Sequence, residues 1–129
     1  MNGTRAWTWH MAAGAALIFL LGMHMFIMHL AGTGHWFAPY GANPDSPENS
    51  IFRDGRLFFT VTYILLLGVA LYHGLYGLRT MLFELTPKPA VERTITIVLF
   101  LAGLGLFGLG AWAAVTAHTI ALMGAGGQP

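Results

Sequence analysis

Residues 57–78 read LFFTVTYILLLGVALYHGLYGL and contain no Asp, Glu, Lys or Arg. A bilayer core about 30 Å thick is crossed by roughly 20 apolar residues in an α-helix. Within lipid the backbone must form all of its hydrogen bonds internally, and a helix does so. The segment is therefore predicted to be a membrane-spanning helix, and its one histidine is His73.

Two further segments have the same character. Residues 6–44 and 94–129 also lack Asp, Glu, Lys and Arg, and the whole chain is 56% hydrophobic and 9% charged. Soluble domains carry roughly 25% charged residues. The apolar runs within these segments predict helices over residues 11–31 and 94–117. We therefore expect an all-α membrane protein, with residues 1–129 forming one domain of three transmembrane helices.

The composition also excludes several classes of function. Because the chain has no cysteine, it has no disulfide, no thiolate metal site and no ligand for an iron–sulfur cluster. A net charge of +1 argues against binding to nucleic acid. The predicted helices contain no Ser/His/Asp group or carboxylate pair for hydrolysis. The six histidines are the unusual feature, because a membrane interior rarely keeps ionisable side chains without a functional reason.

The pattern G-x-G-x-x-G occurs at Gly103, Gly105 and Gly108. A nucleotide site would need a preceding strand and a βαβ unit, and neither fits inside a spanning helix. We expect these small residues to let a neighbouring helix or a cofactor approach closely.

The distribution of Lys and Arg predicts the orientation in the membrane. The N-terminal segment and the second connection together hold four of these residues, against two in the first connection, residues 32–56. By the positive-inside rule, the N-terminus and the second connection are expected on the cytoplasmic side of the inner (cytoplasmic) membrane. The first connection contains three prolines and is expected to be an irregular interfacial loop.

His73 lies near the end of the second predicted helix, roughly 8 Å below the membrane boundary. One interpretation is a histidine that forms a hydrogen bond across a helix interface. The other is an axial ligand of haem iron, since neutral imidazole is a standard iron ligand and Gly74 and Gly77 would clear space for a flat macrocycle. Arg79, at the boundary, is either a positive-inside anchor or a partner for a haem propionate or a quinone carbonyl.

His24 is a second candidate haem ligand, about 20 Å from the cytoplasmic end of the first predicted helix. His24 and His73 differ by roughly 11 Å along the membrane normal, so one iron cannot take both. If both bind haem, they bind different haems, and another chain supplies the opposing ligands. His29 is expected to form interfacial hydrogen bonds. The remaining histidines are expected to be solvated or headgroup-facing: His10, His35 and His118.

Two segments carry a family resemblance. Residues 10–14, HMAAG, followed by residues 22–29, GMHMFIMH, resemble the first helix of dihaem membrane anchors. Residues 71–79, LYHGLYGLR, are similar to the second helix of those anchors, which has a His-x-x-x-Gly signature. The chain thus resembles, over most of its length, the membrane-anchor (cytochrome b) subunits of succinate:quinone oxidoreductase and quinol:fumarate reductase.

The resemblance implies that His73 ligates the haem b nearer the cytoplasm and that His24 ligates a second haem b nearer the outer face. With three helices, the chain looks like one of two small anchors in a heteromeric helix bundle, whose partner anchor supplies the opposing histidines. Electrons from succinate would pass through a flavoprotein subunit and an iron–sulfur subunit to haem and quinone, either menaquinone or ubiquinone. Single-haem anchors have an Asp-Tyr pair whose Tyr contacts quinone, whereas this chain has Glu84 and Leu85 there.

Two alternatives stay open at this point. One is the haem b anchor of another quinone-linked enzyme, such as a fumarate reductase, a hydrogenase or a formate dehydrogenase. Neighbouring genes for a flavoprotein and an iron–sulfur protein would favour the succinate dehydrogenase interpretation. The other alternative is a structural anchor or assembly protein without a cofactor, which would tolerate substitution at both His73 and His24.

Overall fold

The computed structural model describes residues 3–26, 47–85 and 88–126 of the chain. The described residues form four α-helices and no strand: α1 (Gly3–Met25), α2 (Pro47–Asp54), α3 (Leu57–Leu85) and α4 (Pro89–Gly126). Within this part of the chain, α1, α3 and α4 are long and apolar enough to cross a membrane. The prediction of an all-α protein with three transmembrane helices is therefore confirmed.

The helices extend beyond the predicted spans. The first begins at Gly3 rather than residue 11, and the second ends at Leu85 rather than residue 78. Charge marks where a helix leaves the hydrocarbon, but Arg79 and Glu84 are good helix formers and do not end a helix. The next residue that cannot continue a helix is Pro87. The predicted end of the first helix at residue 31 lies outside the described residues.

The third spanning helix is also longer than the predicted residues 94–117. It begins at Pro89, because proline suits the first helical position, where its missing N–H has no intrahelical partner. The backbone N–H groups of Val91 and Glu92 donate to the Lys88 carbonyl at 3.0 and 3.2 Å. The helix continues to Gly126, since the residues after 117 are helix-compatible up to the glycine-rich end.

A short helix stands in the connection that was predicted to be irregular. Helix α2 begins at Pro47 and packs on α4 and α3. The imidazole Nδ1 of His118, on α4, donates to the carbonyl oxygen of Asp54, the last residue of α2, at 2.6 Å. The expectation of a solvated or headgroup-facing His118 is therefore wrong, because its half-buried ring fastens the end of α2. Residues 32–46 of the connection lie outside the described part.

Helix α3 is the centre of the arrangement. It packs against both α1 and α4, whereas no contact joins α1 to α4 among the described residues. Only Thr60, Thr62 and Ala121 are buried in that part of the chain, and large apolar side chains are exposed on every helix. Phe19, for example, is 70% exposed. Such a surface requires lipid or the helices of another subunit to cover it.

The α3–α4 contact is built from glycines that face large side chains. A Cβ atom placed on Gly68 would lie 3.2 Å from Cε2 of Phe107, and one on Gly103 or Gly110 would overlap a leucine of α3. The expectation of close approach therefore holds at Gly103. At Gly105 and Gly108 a Cβ would meet nothing within 4 Å among the described residues.

We predict that Gly68→Ala loosens the α3–α4 contact while Gly108→Ala does not. The new methyl group at position 68 must displace the Phe107 ring, and overpacking of this kind costs about 1–3 kcal/mol. At position 108 the added methyl group meets open space, and alanine favours a helix over glycine by about 1 kcal/mol. Titration of the purified chain from mild detergent into SDS measures both. Equal unfolding midpoints for the two variants would contradict this packing.

Candidate functional site

Two histidines meet where α1 packs against α3. The imidazole rings of His10 and His73 are stacked, with ring centroids 4.2 Å apart and planes 7° from parallel. The Tyr76 ring also contacts His10, at 5.0 Å between centroids and with the planes tilted by 36°. Both histidines are half-buried. The expectation that His10 is solvated or headgroup-facing is therefore wrong, because the extra helical turns before residue 11 carry it into the interface.

The hydrogen bond of His73 determines which nitrogen carries its proton. Nδ1 of His73 lies 3.2 Å from the backbone carbonyl oxygen of His10. A carbonyl only accepts hydrogen bonds, so Nδ1 is the donor and the lone pair of the neutral ring is on Nε2. Metal-bound histidines commonly donate their second ring N–H to a carbonyl or carboxylate in this way. His73 thus has the tautomer that an Nε2 iron ligand requires.

Each histidine ring lies beside a glycine, and the space is tight at His73. A Cβ atom on Gly14 would lie 3.0 Å from Cε1 and 3.4 Å from Nδ1 of His73, closer than ordinary packing allows. A Cβ atom on Gly77 would lie 3.6 Å from Cε1 of His10, an ordinary contact. At Gly74 a Cβ would meet nothing within 4 Å. Gly77, which was expected to clear space for a macrocycle, therefore faces His10.

One nitrogen in this cluster has no partner. Nδ1 of His10 is the one buried side-chain nitrogen or oxygen without a hydrogen bond in the described part of the chain. Leaving a buried polar atom unpaired costs about 1–3 kcal/mol. The packing between α1 and α3 must offset this cost.

The residues present fit a haem. Because the rings of His10 and His73 are stacked face to face, they would not hold one haem iron between them. Among the described residues, no group of three or more His, Cys, Asp or Glu side chains could hold a metal ion, but haem would need only one or two ligands from the protein. Nε2 of His73 would supply one ligand, and Gly14 leaves the space that the His73 ring occupies.

The structure places His24 far from this cluster. His24 is half-buried near the end of α1, and its ring meets the edge of Tyr63 at 5.8 Å between centroids, 72° from parallel. Tyr63 and His73 lie ten positions apart on α3, which separates the two levels by roughly 15 Å. The separation agrees with the expectation that His24 and His73 do not share an iron.

Arg79 turns away from His73 and toward α4. Its Nε donates to Oγ1 of Thr96 at 3.0 Å, and its guanidinium lies 4.1 Å above the centre of the Phe83 ring. It lines an apolar groove between α3 and α4, with a volume of about 340 Å³, that also includes Tyr72 and Tyr76. Tyr76 lines this groove and contacts His10 as well. Sequence reasoning named Arg79 but had no means to predict which helix it would face.

The remaining expectations about histidines concern His29 and His35, which lie outside the described residues. Of the site residues, sequence reasoning missed His10. The signal was present, because both α1 and α3 contain His-x-x-x-Gly, at residues 10–14 and 73–77. Two antiparallel helices that carry the same spacing place each histidine beside the glycine of the other.

These features define a multi-pass membrane subunit with histidines packed between its helices. Residues 2–109 match the family described as succinate dehydrogenase/fumarate reductase transmembrane subunit. The match covers more than half of the 129 residues and all three site residues named from sequence. The chain belongs to this family, which confirms the resemblance. Neither a search of curated proteins nor a search of solved structures found a match.

Proposed function

We propose that the chain is one of two small membrane anchors of a succinate dehydrogenase (succinate:quinone oxidoreductase) and that it binds haem b through His73. Family membership supports the complex. The observation that carries the haem assignment is the hydrogen bond from Nδ1 of His73 to the His10 carbonyl, at 3.2 Å. It leaves Nε2 unprotonated, as an iron ligand must be.

Each residue of the cluster has a separate task. Nε2 of His73 would ligate the iron, while the His10 carbonyl holds the proton on Nδ1 and Gly14 leaves room for the ring. A second ligand would come from the partner anchor, because the His10 ring stacks on that of His73 and does not face it across a gap. When bound, haem supplies one-electron transfer, and the protein supplies ligation, orientation and exclusion of water.

His24 is proposed as the ligand of a second haem b nearer the other face of the membrane. The position of His24 supports this proposal. Its ring is half-buried and contacts Tyr63 of α3. This contact lies roughly 15 Å along α3 from the level of His73. Its opposing ligand would also come from the partner anchor. The complex would then hold two haems, and without ligation by His24 it would hold one.

Arg79 is proposed to serve quinone or a haem propionate, and its surroundings favour quinone. The guanidinium stands in the α3–α4 groove, whose other lining residues are almost all apolar or aromatic. Its Nε is engaged by Thr96, which fixes the group while its terminal nitrogens stay available as donors. A quinone, either menaquinone or ubiquinone, combines carbonyl acceptors with an apolar tail and suits such a groove.

The other partners follow from the complex. A flavoprotein subunit would oxidise succinate, an iron–sulfur subunit would carry the electrons to the membrane, and this chain would hold the haem through His73 without performing substrate chemistry. The protein lies in the inner (cytoplasmic) membrane with its N-terminus in the cytoplasm. The family description also covers fumarate reductase, so an anchor of that enzyme is the second candidate. The match favours both over a hydrogenase or formate dehydrogenase subunit.

His73→Ala is predicted to remove one b haem per flavin from the purified complex, because the iron loses its ligand. A dithionite-reduced minus oxidised spectrum measures the loss. His118→Ala is the control, since that histidine binds the end of α2 and has no haem role here. Intact haem content in His73→Ala would refute the assignment of the ligand.

Gly14→Ala is predicted to lower haem occupancy, because the new methyl group would lie 3.0 Å from Cε1 of His73 and must displace the ring. Gly22→Ala is a matched control on the same helix, where the methyl group meets nothing within 4 Å. Haem per flavin is measured in both complexes. Equal haem occupancy in the two variants would show that haem binding through His73 does not need the space at Gly14.

The orientation can be tested with single cysteines, since the chain has none of its own. Thr4→Cys and Lys88→Cys are predicted to react with an impermeant maleimide only in inside-out vesicles. Ile51→Cys, on α2, should react only in right-side-out vesicles. All three positions are exposed on the chain. The reverse pattern would place the N-terminus outside.

A further inference from the structure

We propose that His10 is a positioning residue that sets the ring plane of His73. The proposal rests on the proposed function, in which His73 ligates haem iron. Its basis is the reciprocal packing of two His-x-x-x-Gly segments, residues 10–14 of α1 and residues 73–77 of α3. We call this arrangement the His–Gly lock.

The lock follows from the antiparallel course of α1 and α3. His10 lies beside Gly77, Gly14 lies beside His73, and His24 lies beside Tyr63, so rising numbers on α1 meet falling numbers on α3. In a helix, residues four positions apart share a face. In the register that places His10 beside Gly77, equal spacing therefore also brings His73 to Gly14, and the two rings stack.

Three contacts define the position of the His73 ring. The His10 carbonyl oxygen accepts a hydrogen bond from its Nδ1 at 3.2 Å, Gly14 borders its Cε1 edge, and the His10 ring stacks on its face with the planes 7° from parallel. The second side-chain torsion of histidine is intrinsically broad, so a hydrogen bond alone leaves the plane free to turn. The stacked ring restricts that rotation.

The His10 ring has a second aromatic neighbour. It lies 4.2 Å from the His73 ring and 5.0 Å from the Tyr76 ring, and both of those side chains belong to α3. A flat side chain from α1 thus contacts two rings that stand three positions apart on α3. These two contacts restrict the orientation of the His10 ring, which stacks on the His73 ring.

The carbonyl contact and the ring contact can be separated by mutation. Any residue at position 10 retains the backbone carbonyl, so substitution there tests only the ring. Phenylalanine retains a flat ring, whereas leucine fills a comparable volume without one. The pair His10→Phe and His10→Leu therefore isolates stacking, and Met11→Ala, at a neighbouring exposed position, serves as the control.

The experiment uses the purified complex with all of its subunits. Haem per flavin, the low-temperature EPR line of the ferric haem and the rate of haem release are measured for wild type and each variant. We expect His10→Leu to move or broaden the EPR line and to release haem roughly two- to tenfold faster, the range that one ring–ring contact is worth. His10→Phe and Met11→Ala should retain the wild-type line and rate.

The two proposals fail in different ways. An EPR line and a release rate in His10→Leu that equal those of wild type, in a complex that loses haem in His73→Ala, would overturn the positioning role alone. Equal changes in His10→Phe and His10→Leu would also overturn it, since stacking would then not be the cause. Full haem content in His73→Ala would overturn the proposed function itself.

Discussion

The absence of water inside a bilayer is the constraint on which this structure depends. Every backbone N–H and C=O within lipid must be paired inside the protein, so the spanning segments are continuous helices. The same rule applies to polar side chains, and Thr62 and Thr96 satisfy it by donating to carbonyls one turn earlier, each at 2.8 Å. The histidines of the interfaces satisfy it across helices: His73 and His118 each donate Nδ1 to a backbone carbonyl of another helix.

The same constraint shows which groups of the chain are left without a partner or a cover. His10 keeps a buried nitrogen unpaired in the described part of the structure, and large apolar side chains stay exposed on all three spanning helices. Helix α3 alone joins α1 to α4, so the faces of those two helices that point away from α3 need other helices or lipid. If the proposed function holds, a partner subunit would supply both burial and the second ligand of each haem. Assembly and cofactor binding would then be coupled, because each supplies what the other lacks.

Hydropathy predicted the existence of the three spans but not their ends, for a physical reason. The apolar run reports which residues contact hydrocarbon, whereas helix continuity ends only where a residue such as Pro87 cannot be accommodated. The positions of His24 and His73 along the membrane normal follow from the rise per residue of a helix. The sequence alone therefore predicts that the two histidines lie at different depths. The contact of Arg79 with α4 and the position of the short helix α2 depend on packing between segments. A pattern of residue types along the sequence does not contain that information. His10 could have been found, had the two equal His-x-x-x-Gly spacings been placed on antiparallel helices.

The central claim is that this member of the family carries haem between its helices and those of a partner anchor. It is tested most directly by the haem-to-flavin ratio of the native purified complex, taken from a dithionite-reduced minus oxidised spectrum. We predict a b-type spectrum with one haem per flavin, bound through His73, or two haems per flavin if His24 ligates a second haem. A complex that is active and contains flavin but no b haem would contradict the account.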